Sequence, residues 1–326
     1  MGQSNSFLYE IRPSQIYKPV DDLWVITTFF NSQNYVTKHN NFNLFIDSLE
    51  KSCIKYLVIE CAFNDQPFIL PNSPNILKVR SKSVLWQKER LLNVAIQALP
   101  KNCTKLAWID CDILFENESW IVETSKLLDT YPVVQPFEFV IRLPKGCSYY
   151  EGKGDQWESF ASVYQKRSNQ LPACDFNSHG HTGFAWAIRK EIITKNGLYD
   201  ASISGSGDHI MAHAFCGDYY SDCMTQIFGQ NDFAIKHFYE WAQAIYQEIS
   251  GKIGFIPGTI LHLWHGDIIN RQYLKRNQEL AQFKFNPYED IFINSEGCWE
   301  WNDKDSSKYN LHQWAIQYYY NRKEDG

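Results

Sequence analysis

The chain has 326 residues, of which 44% are hydrophobic and 16% aromatic, and its formal net charge is −6. This length suits one large domain or two closely packed ones. The acidic balance, without a dense run of Lys and Arg, argues against nucleic acid as a main partner. No apolar run is long enough to span a bilayer, and the first residues lack the apolar core of a signal peptide.

The cysteines and the first residues refine the expected compartment. The nine cysteines are scattered and form no C-x-x-C pair, which favours buried free thiols in a reducing environment. We therefore expect a soluble, cytoplasmic protein. The start MGQSNS fits the pattern for myristoylation of Gly2. A pattern this short also arises by chance, and a single acyl chain gives only weak, reversible membrane binding.

In the first half of the chain, predicted strands alternate with predicted helices. Runs of β-branched and aromatic residues predict strands, at 23–30, 55–63, 76–81, 105–110 and 131–139. Apolar residues at helical spacing predict helices, at 42–52, 84–100 and 118–129. Short connections between alternating strands and helices predict a mostly parallel sheet that is covered by helices on both faces.

The second half of the chain is less regular. Residues 139–180 are rich in Gly, Tyr, Ser and His and predict a long loop. A strand, a helix at 189–195, a glycine-rich loop and a helix beginning at Asp208 follow. Residues 254–267 predict one strand. The tail beyond 270 predicts a helix followed by partly irregular chain.

The sharpest motif is Asp110-Cys111-Asp112, which follows the apolar run LAWI. Two carboxylates two residues apart in an extended segment point to the same side, where they repel each other without a cation. Mg²⁺ and Mn²⁺ prefer carboxylate oxygen and keep positions open for phosphate oxygens. Because ligands of parallel sheets bind beyond the carboxyl ends of the strands, the motif predicts a metal and nucleotide site. The alternative is that the aspartates cap the helix near 117–119 or are simply solvated.

Two segments carry a resemblance to a known family. LAWIDCDILF resembles the DxD motif of the nucleotide-sugar-dependent glycosyltransferases of the GT-A fold. TGFAWAIRKEIITKNGLYDASISGSGDHIMA resembles their galactosyltransferase-type acceptor segment. The resemblance covers 22–137 and 180–267. It departs at GSGDH, where the family's loop usually carries two adjacent carboxylates and this chain has Asp208 followed by His209.

The resemblance implies an α/β fold of the Rossmann-like GT-A type, a single domain with a mostly parallel central sheet flanked by helices. An N-terminal lead-in at 1–21 would precede a nucleotide-sugar-binding half at 22–137. An acceptor-binding half at 138–267 and a C-terminal helical or irregular extension at 268–326 would follow. The implied donor is a nucleotide diphosphate sugar, with a UDP-sugar favoured, and the acceptor is a glycan, a lipid-linked molecule or a protein.

The resemblance also implies roles for single residues. Asp110, Asp112 and His265 would hold Mn²⁺ or Mg²⁺, and Asp208 would be the base of an inverting transfer. The donor-binding residues are expected at the strand ends and the start of the next helix, namely Thr28, Phe30, Asn31, Glu60, Arg90 and Asp110. An acidic residue in the apolar run YLVIECAF is costly to bury without a partner, which supports a role for Glu60.

Several alternatives remain open on the sequence alone. His262 and His265 lie three apart in an extended stretch and are expected to face opposite sides, so that only one is a ligand. Asp208 also suits a helix cap. The missing second carboxylate would fit a non-catalytic sugar- or nucleotide-binding protein on a degenerate transferase fold. A zinc hydrolase is another hypothesis, and its predicted zinc ligands are Asp208, His209, His213 and His181.

Overall fold

The computed structural model describes residues 20–167, 176–302 and 308–326. Gly2, Cys174 and most of the predicted lead-in lie outside the described residues. The eight cysteines within them are all free thiols, and no helix in these ranges has the length and apolar character needed to cross a membrane.

The strands are short to medium in length and are numbered in chain order. They are β1 (Leu23–Phe30), β2 (Tyr56–Phe63), β3 (Ile76–Ser81), β4 (Lys105–Ile109), β5 (Ile113–Phe115), β6 (Val133–Gln135), β7 (Phe139–Arg142), β8 (Asp155–Glu158), β9 (Ala185–Arg189), β10 (Ile253–Phe255), β11 (Thr259–His262), β12 (Ile291–Ile293) and β13 (Trp299–Trp301).

The helices fill most of the connections between the strands. They are α1 (Val36–Lys51), α2 (Lys88–Ala98), α3 (Trp120–Leu127), α4 (Phe160–Lys166), α5 (Phe176–His179), α6 (Lys190–Asn196), α7 (Gly207–Cys216), α8 (Asp222–Phe228), α9 (Asp232–Ile249), α10 (Tyr273–Gln282) and α11 (Tyr309–Asn321). A short 3₁₀ turn at Ile268–Arg271 precedes α10.

Seven strands form the main sheet, in the order β10-β6-β9-β4-β1-β2-β3. Neighbours are parallel except at β9, which is antiparallel to both β4 and β6. Side chains alternate between the two faces, so Ile26 and Phe30 pack with α2 while Val25 and Phe29 pack with α1. The mixed α/β class with a mostly parallel, helix-covered sheet is confirmed.

The strand order places a crevice between β1 and β4. From β1 the chain moves outward to β2 and β3, and then returns to the other side of β1 as β4. The loops that leave the carboxyl ends of β1 and β4 therefore run in opposite directions. Such a switch point is where open α/β sheets bind their ligands.

A second sheet of four strands has the order β5-β11-β7-β8. Strands β7 and β11 are parallel and end side by side, at Arg142 and His262. Strand β5 follows the Asp110–Asp112 turn and pairs with β11. This pairing brings the ends of β7 and β11 to the crevice of the main sheet.

Three predictions about the chain beyond residue 130 were wrong. The single strand predicted at 131–139 is two strands separated at Pro136, and that predicted at 254–267 is two strands separated at Pro257-Gly258. Proline cannot donate to a strand ladder, so each segment leaves the main sheet there and joins the second one. The loop predicted at 139–180 contains β7, β8, α4 and α5. Strand β8 was not predicted because its sequence, DQWE, lacks alternating apolar residues; the strand is largely exposed.

Candidate functional site

A cleft lies beyond the carboxyl ends of β1 and β4. Thr28 and Phe30 of β1 and Asp110, directly after β4, line one side of it. Arg142 and His262, at the ends of β7 and β11, line the other side. The cleft therefore occupies the switch point and receives side chains from both sheets.

Lys88 bridges two carboxylates in this cleft. Its Nζ lies 2.5 Å from Asp110 Oδ1 and 2.7 Å from Asp208 Oδ2. Trp108 Nε1 donates to the other oxygen of Asp208, over 3.3 Å. Burial raises the pKa of Asp208, whereas Lys88 beside it acts to lower that pKa. The carboxylate of Asp208 thus faces the cleft and its two donors, and Asp208 lies inside α7 rather than at the N-cap, which is Ser206.

Asp112, His262 and His265 form a separate cluster of possible metal ligands. His265 Nε2 lies 3.1 Å from Asp112 Oδ2, and the two histidine Nε2 atoms are 3.0 Å apart. Burial lowers the pKa of both histidines, so their rings are neutral and carry a nitrogen lone pair. Asp112 Oδ1 is buried and has no hydrogen-bond partner among the described residues. One ligand atom from each of the three residues lies within 4.8 Å of the others.

The expectation that His262 and His265 face opposite sides was wrong. Strand β11 ends at His262, and the backbone N–H of Leu263 donates to the carbonyl of Asp112 over 2.9 Å. The chain then turns, so that His265 folds back beside His262. Asp110 and Asp112 do not cap α3, because Asn117 Oδ1 accepts from the backbone and hydroxyl of Ser119 at that helix start.

A second acidic group lies beside Asp208 and comes from α2. Glu89 is 2% exposed, and its carboxylate occupies the space that a Cβ at Gly207 would need. Burial raises the pKa of Glu89 to about 8, so the group is protonated at neutral pH. Glu89 was not predicted as a site residue; its signal in the sequence is an acidic residue on the apolar face of a predicted helix.

Cationic side chains surround the cleft in a chain of net negative charge. They come from α1, α2, β7, the turn before α10, α10 and the C-terminal segment, and are Lys38, Lys88, Arg142, Arg271, Arg276 and Arg322. Arg271 Nη2 lies 2.6 Å from the His265 ring. Lys88 lies at the start of α2, the region where donor-binding residues were expected from the sequence. The others are far apart along the chain and form no motif.

Three residues predicted for the donor site do not line the cleft. Asn31 closes the loop after β1 by exchanging hydrogen bonds with the backbone of Tyr35. Glu60 is 2% exposed and accepts from two backbone amides of the loop after β2. Arg90 pairs with Asp200 over 2.9 Å. Buried or ion-paired in this way, each already has a structural partner.

The zinc set predicted as an alternative is not brought together. His181 lies against Arg142, with 2.8 Å between a guanidinium nitrogen and the ring Nε2. His209, which also lines the cleft, and His213 lie instead with His179 and Cys223. The structure therefore offers no zinc site that combines the four predicted residues.

No protein-family model and no curated protein sequence matches the chain. Among solved structures, it is similar to the catalytic domain of Drosophila beta1,4galactosyltransferase 7 in complex with xylobiose, at 11% identity over 91% of this chain and 99% of that one, with a TM-score of 0.39. A mutant of that enzyme in complex with manganese, UDP-Gal and xylobiose aligns at 12% identity over 58% of this chain and 59% of that one, with a TM-score of 0.32.

A third similar structure is glucosyl-3-phosphoglycerate synthase from Mycobacterium tuberculosis in complex with Mn²⁺ and uridine-diphosphate-glucose. Its identity is 9% over 81% of this chain and 78% of that one, and its TM-score is 0.35. Likenesses this distant carry no conclusion about activity.

Proposed function

We propose that the protein is a metal-dependent glycosyltransferase of the GT-A type. It moves a sugar from a nucleotide diphosphate sugar, with a UDP-sugar favoured, to a hydroxyl of a glycan, lipid-linked or protein acceptor. The observation that carries the proposal is the cleft at the switch point. There a candidate cation site, a set of anion-binding side chains and a separately held carboxylate, Asp208, meet in one place.

The residues present fit a divalent cation. Asp112 offers a buried carboxylate oxygen with no hydrogen-bond partner among the described residues. His262 and His265 offer neutral imidazole nitrogens. Asp110 lies on the same turn as Asp112, two residues before it. This mixed oxygen and nitrogen set suits Mn²⁺, and Mg²⁺ to a lesser degree. Such an ion, when bound, neutralises charge on the departing diphosphate.

The cations of the cleft would bind the diphosphate. Arginine presents a planar fork that matches phosphate oxygens, and hydrogen bonds between charged groups are stronger than neutral ones. Arg271, Arg276 and Arg322 come from the C-terminal part of the chain, and Lys38 comes from α1. Thr28, Phe30 and Trp86 line the same cleft and are our candidates for contacts with the nucleoside.

Asp208 would act as the base. The acceptor hydroxyl oxygen forms a bond to the anomeric carbon as the bond from that carbon to the diphosphate oxygen breaks. Asp208 takes the hydroxyl proton, and the electron pair of the broken bond leaves with the diphosphate, so the configuration inverts. Lys88 and Trp108 hold the carboxylate in place. The division into a donor half at 22–137 and an acceptor half at 138–267 belongs to this proposal.

A thermal-shift screen tests the donor site. Sugar nucleotides of each base are added with and without Mn²⁺ to the wild type, to Asp112→Asn and to Asp267→Asn. Asp267 is an exposed carboxylate two residues after His265 and serves as the matched control. Ligand that binds only the folded state raises the melting temperature. We expect metal-dependent stabilisation by one class of nucleotide in the wild type and in Asp267→Asn, and none in Asp112→Asn.

A transfer assay then separates an enzyme from a binding protein. Release of nucleoside diphosphate from the nucleotide that stabilises the protein, lost on chelation and restored by Mn²⁺, supports the transferase. Stabilisation without any turnover would favour the non-catalytic sugar- or nucleotide-binding alternative. Failure of every sugar nucleotide to stabilise the wild type in the presence of metal would overturn the proposal.

A further inference from the structure

We propose that His179, His209, His213 and Cys223, here called the His₃Cys cluster, form a structural zinc site beside the cleft, which His209 also lines. His179 comes from α5, His209 and His213 from α7, and Cys223 from α8. One ligand atom from each lies within 4.8 Å of the other three. The site is independent of the proposed transfer reaction and shares no residue with the Asp112, His262 and His265 cluster.

His213 is oriented as a zinc ligand would be. Its Nδ1 lies 2.9 Å from Asp218 Oδ2, and because a carboxylate only accepts, Nδ1 carries the proton. The lone pair of the neutral ring is then on Nε2. That atom is buried and has no hydrogen-bond partner among the described residues. A carboxylate behind the ring of a histidine is the usual second partner of a zinc ligand, where it fixes the tautomer and raises basicity.

His179 has the same orientation and lies next to the thiol. Its Nδ1 is 2.8 Å from the carbonyl oxygen of Gly180, which can only accept, so Nε2 carries the lone pair in the neutral ring. Nε2 lies 3.4 Å from Cys223 Sγ. Zinc bonds of about 2.0 Å to nitrogen and about 2.3 Å to sulfur, at tetrahedral angles, place the two ligand atoms about 3.5 Å apart. The observed separation therefore already matches a shared tetrahedral ion.

The remaining features of the cluster agree with this assignment. His209 and His213 are four residues apart on α7 and so lie on one helix face. The ring centroid of His209 lies 5.0 Å from that of His213 and 5.1 Å from that of His179, so the three rings lie close together. His179, His213 and Cys223 are each at most 2% exposed. Zinc accepts both imidazole and thiolate, unlike Mg²⁺.

Four protein donors fill a tetrahedral shell and leave no position for water or substrate, which distinguishes a structural zinc from a catalytic one. The ion would join α5, α7 and α8. Helix α7 also carries Asp208, next to His209, so the site would fix the helix that presents the proposed base to the cleft. Zinc in this chain would then contribute to folding rather than to bond breaking.

The test measures metal content in untagged protein purified without added chelator or metal. We expect about one zinc per chain in the wild type. Cys223→Ser and His213→Ala should lose most of it. Two variants should retain it. One is Cys103→Ser, which changes a buried thiol elsewhere whose hydrogen bond to the carbonyl of Lys105 a hydroxyl can keep. The other is Asp112→Asn, which alters only the candidate metal site of the cleft.

A second measurement does not depend on the folding of any variant. Wild-type protein in which Co²⁺ replaces the metal should show the intense d–d bands of a tetrahedral site together with a thiolate-to-cobalt charge-transfer band. Absence of zinc and of these bands from the wild type would overturn the proposal. So would zinc that is unchanged in folded Cys223→Ser and His213→Ala, or zinc that is lost only in Asp112→Asn. None of these outcomes bears on sugar-nucleotide binding, so the two proposals fail separately.

Discussion

At the scale of single residues, the cleft depends on how two aspartates share one lysine. Lys88 is 7% exposed and contacts both Asp110 and Asp208. Burial alone would lower the pKa of Lys88. The two carboxylates outweigh burial and hold that pKa well above its ordinary value, so the ammonium stays charged. An unpaired buried charge is costly. The three side chains therefore stabilise each other, and the lysine orients the proposed base.

A pH profile of Asp208 follows from this arrangement. We expect Asp208→Asn to lower kcat by roughly 10²- to 10⁴-fold, with metal-dependent nucleotide binding unchanged. Burial raises the pKa of Asp208, and a base acts only when deprotonated. Activity should therefore fall as pH decreases through that raised pKa, above the ordinary value of about 3.9. In Lys88→Met the acid limb of kcat/KM should move to higher pH, because the cation that lowers the pKa is gone.

The control for this profile is Asp129→Asn, an exposed carboxylate that pairs with Lys105 far from the cleft. It should keep both kcat and the wild-type pH profile. Wild-type kcat in Asp208→Asn would remove Asp208 from the role of base without affecting the donor site. The cleft residues that the sequence predicted either belong to a local motif, as Asp110, Asp112 and Asp208 do, or lie at the end of a predicted strand, as Thr28 and Phe30 do. The arginines reach the cleft, and Glu89 reaches Gly207 beside Asp208, only through the tertiary fold.

At the scale of secondary-structure elements, α1 has an unusual N-terminus. Its own N-cap residue, Tyr35, makes no side-chain capping bond. Asp325, at the opposite end of the chain, accepts hydrogen bonds from the backbone N–H of Val36 at 3.1 Å and of Thr37 at 2.8 Å. A carboxylate at this position satisfies free donors and complements the helix dipole. The C-terminal segment is thus attached to the helix that follows β1 and carries Lys38.

Removing this cap should destabilise the fold measurably. We expect Asp325→Ala to lower the free energy of unfolding by about 1 kcal/mol, with a much smaller loss in Asp325→Asn, since Asn also caps helices well. Burial alone would raise the pKa of Asp325, but the amides of Thr37 and Val36 hold it below its ordinary value. The stabilisation by the charged carboxylate is therefore fully present above the pKa that Asp325 has in the unfolded chain. It is lost as pH falls through the lower pKa that Asp325 has in the folded protein.

Urea denaturation at several pH values measures this effect. The difference between wild type and Asp325→Ala should shrink in acid, whereas a difference independent of pH would show that the charge of Asp325 plays no part. The sequence predicted β1, β2 and β3 from their β-branched and aromatic runs and α2 from its helical apolar spacing, whereas it placed the start of α1 at 42 rather than at Val36. It could not predict the cap on α1, because the donor and acceptor lie nearly a full chain length apart. Helices α8 and α9 have no counterpart in the sequence prediction.

At the scale of the whole molecule, charge is separated between the surface and the cleft. The chain has a net charge of −6, yet six cationic side chains line the cleft against three aspartates. The apolar pattern of the sequence predicted the main sheet, and with it the position of the cleft at the strand ends. The charge of the cleft was not predictable, because its cations come from elements that only the pairing of the second sheet and the packing of the C-terminal segment bring together.

This separation predicts how nucleotide binding responds to salt. A cation-lined cleft should bind a nucleoside diphosphate more weakly as ionic strength rises, since salt screens charges over about 10 Å at 0.1 M. Lys38 lines the cleft. Lys38→Met should weaken binding of UDP, or of the nucleoside diphosphate that the thermal-shift screen selects, by about 10-fold, as expected for loss of one charged hydrogen bond. The same variant should bind with a shallower dependence on salt.

Isothermal titration at several salt concentrations measures both quantities. Lys236→Met is the matched control, because Lys236 lies on α9 with its side chain 69% exposed and outside the cleft. This control should bind as the wild type does at every salt concentration, since a distant surface charge is screened. Equal weakening in the two variants would show that the protein responds to its total charge. Binding that does not change with salt would mean that the cations of the cleft serve the fold, and that the diphosphate, if bound, is held by metal and backbone alone.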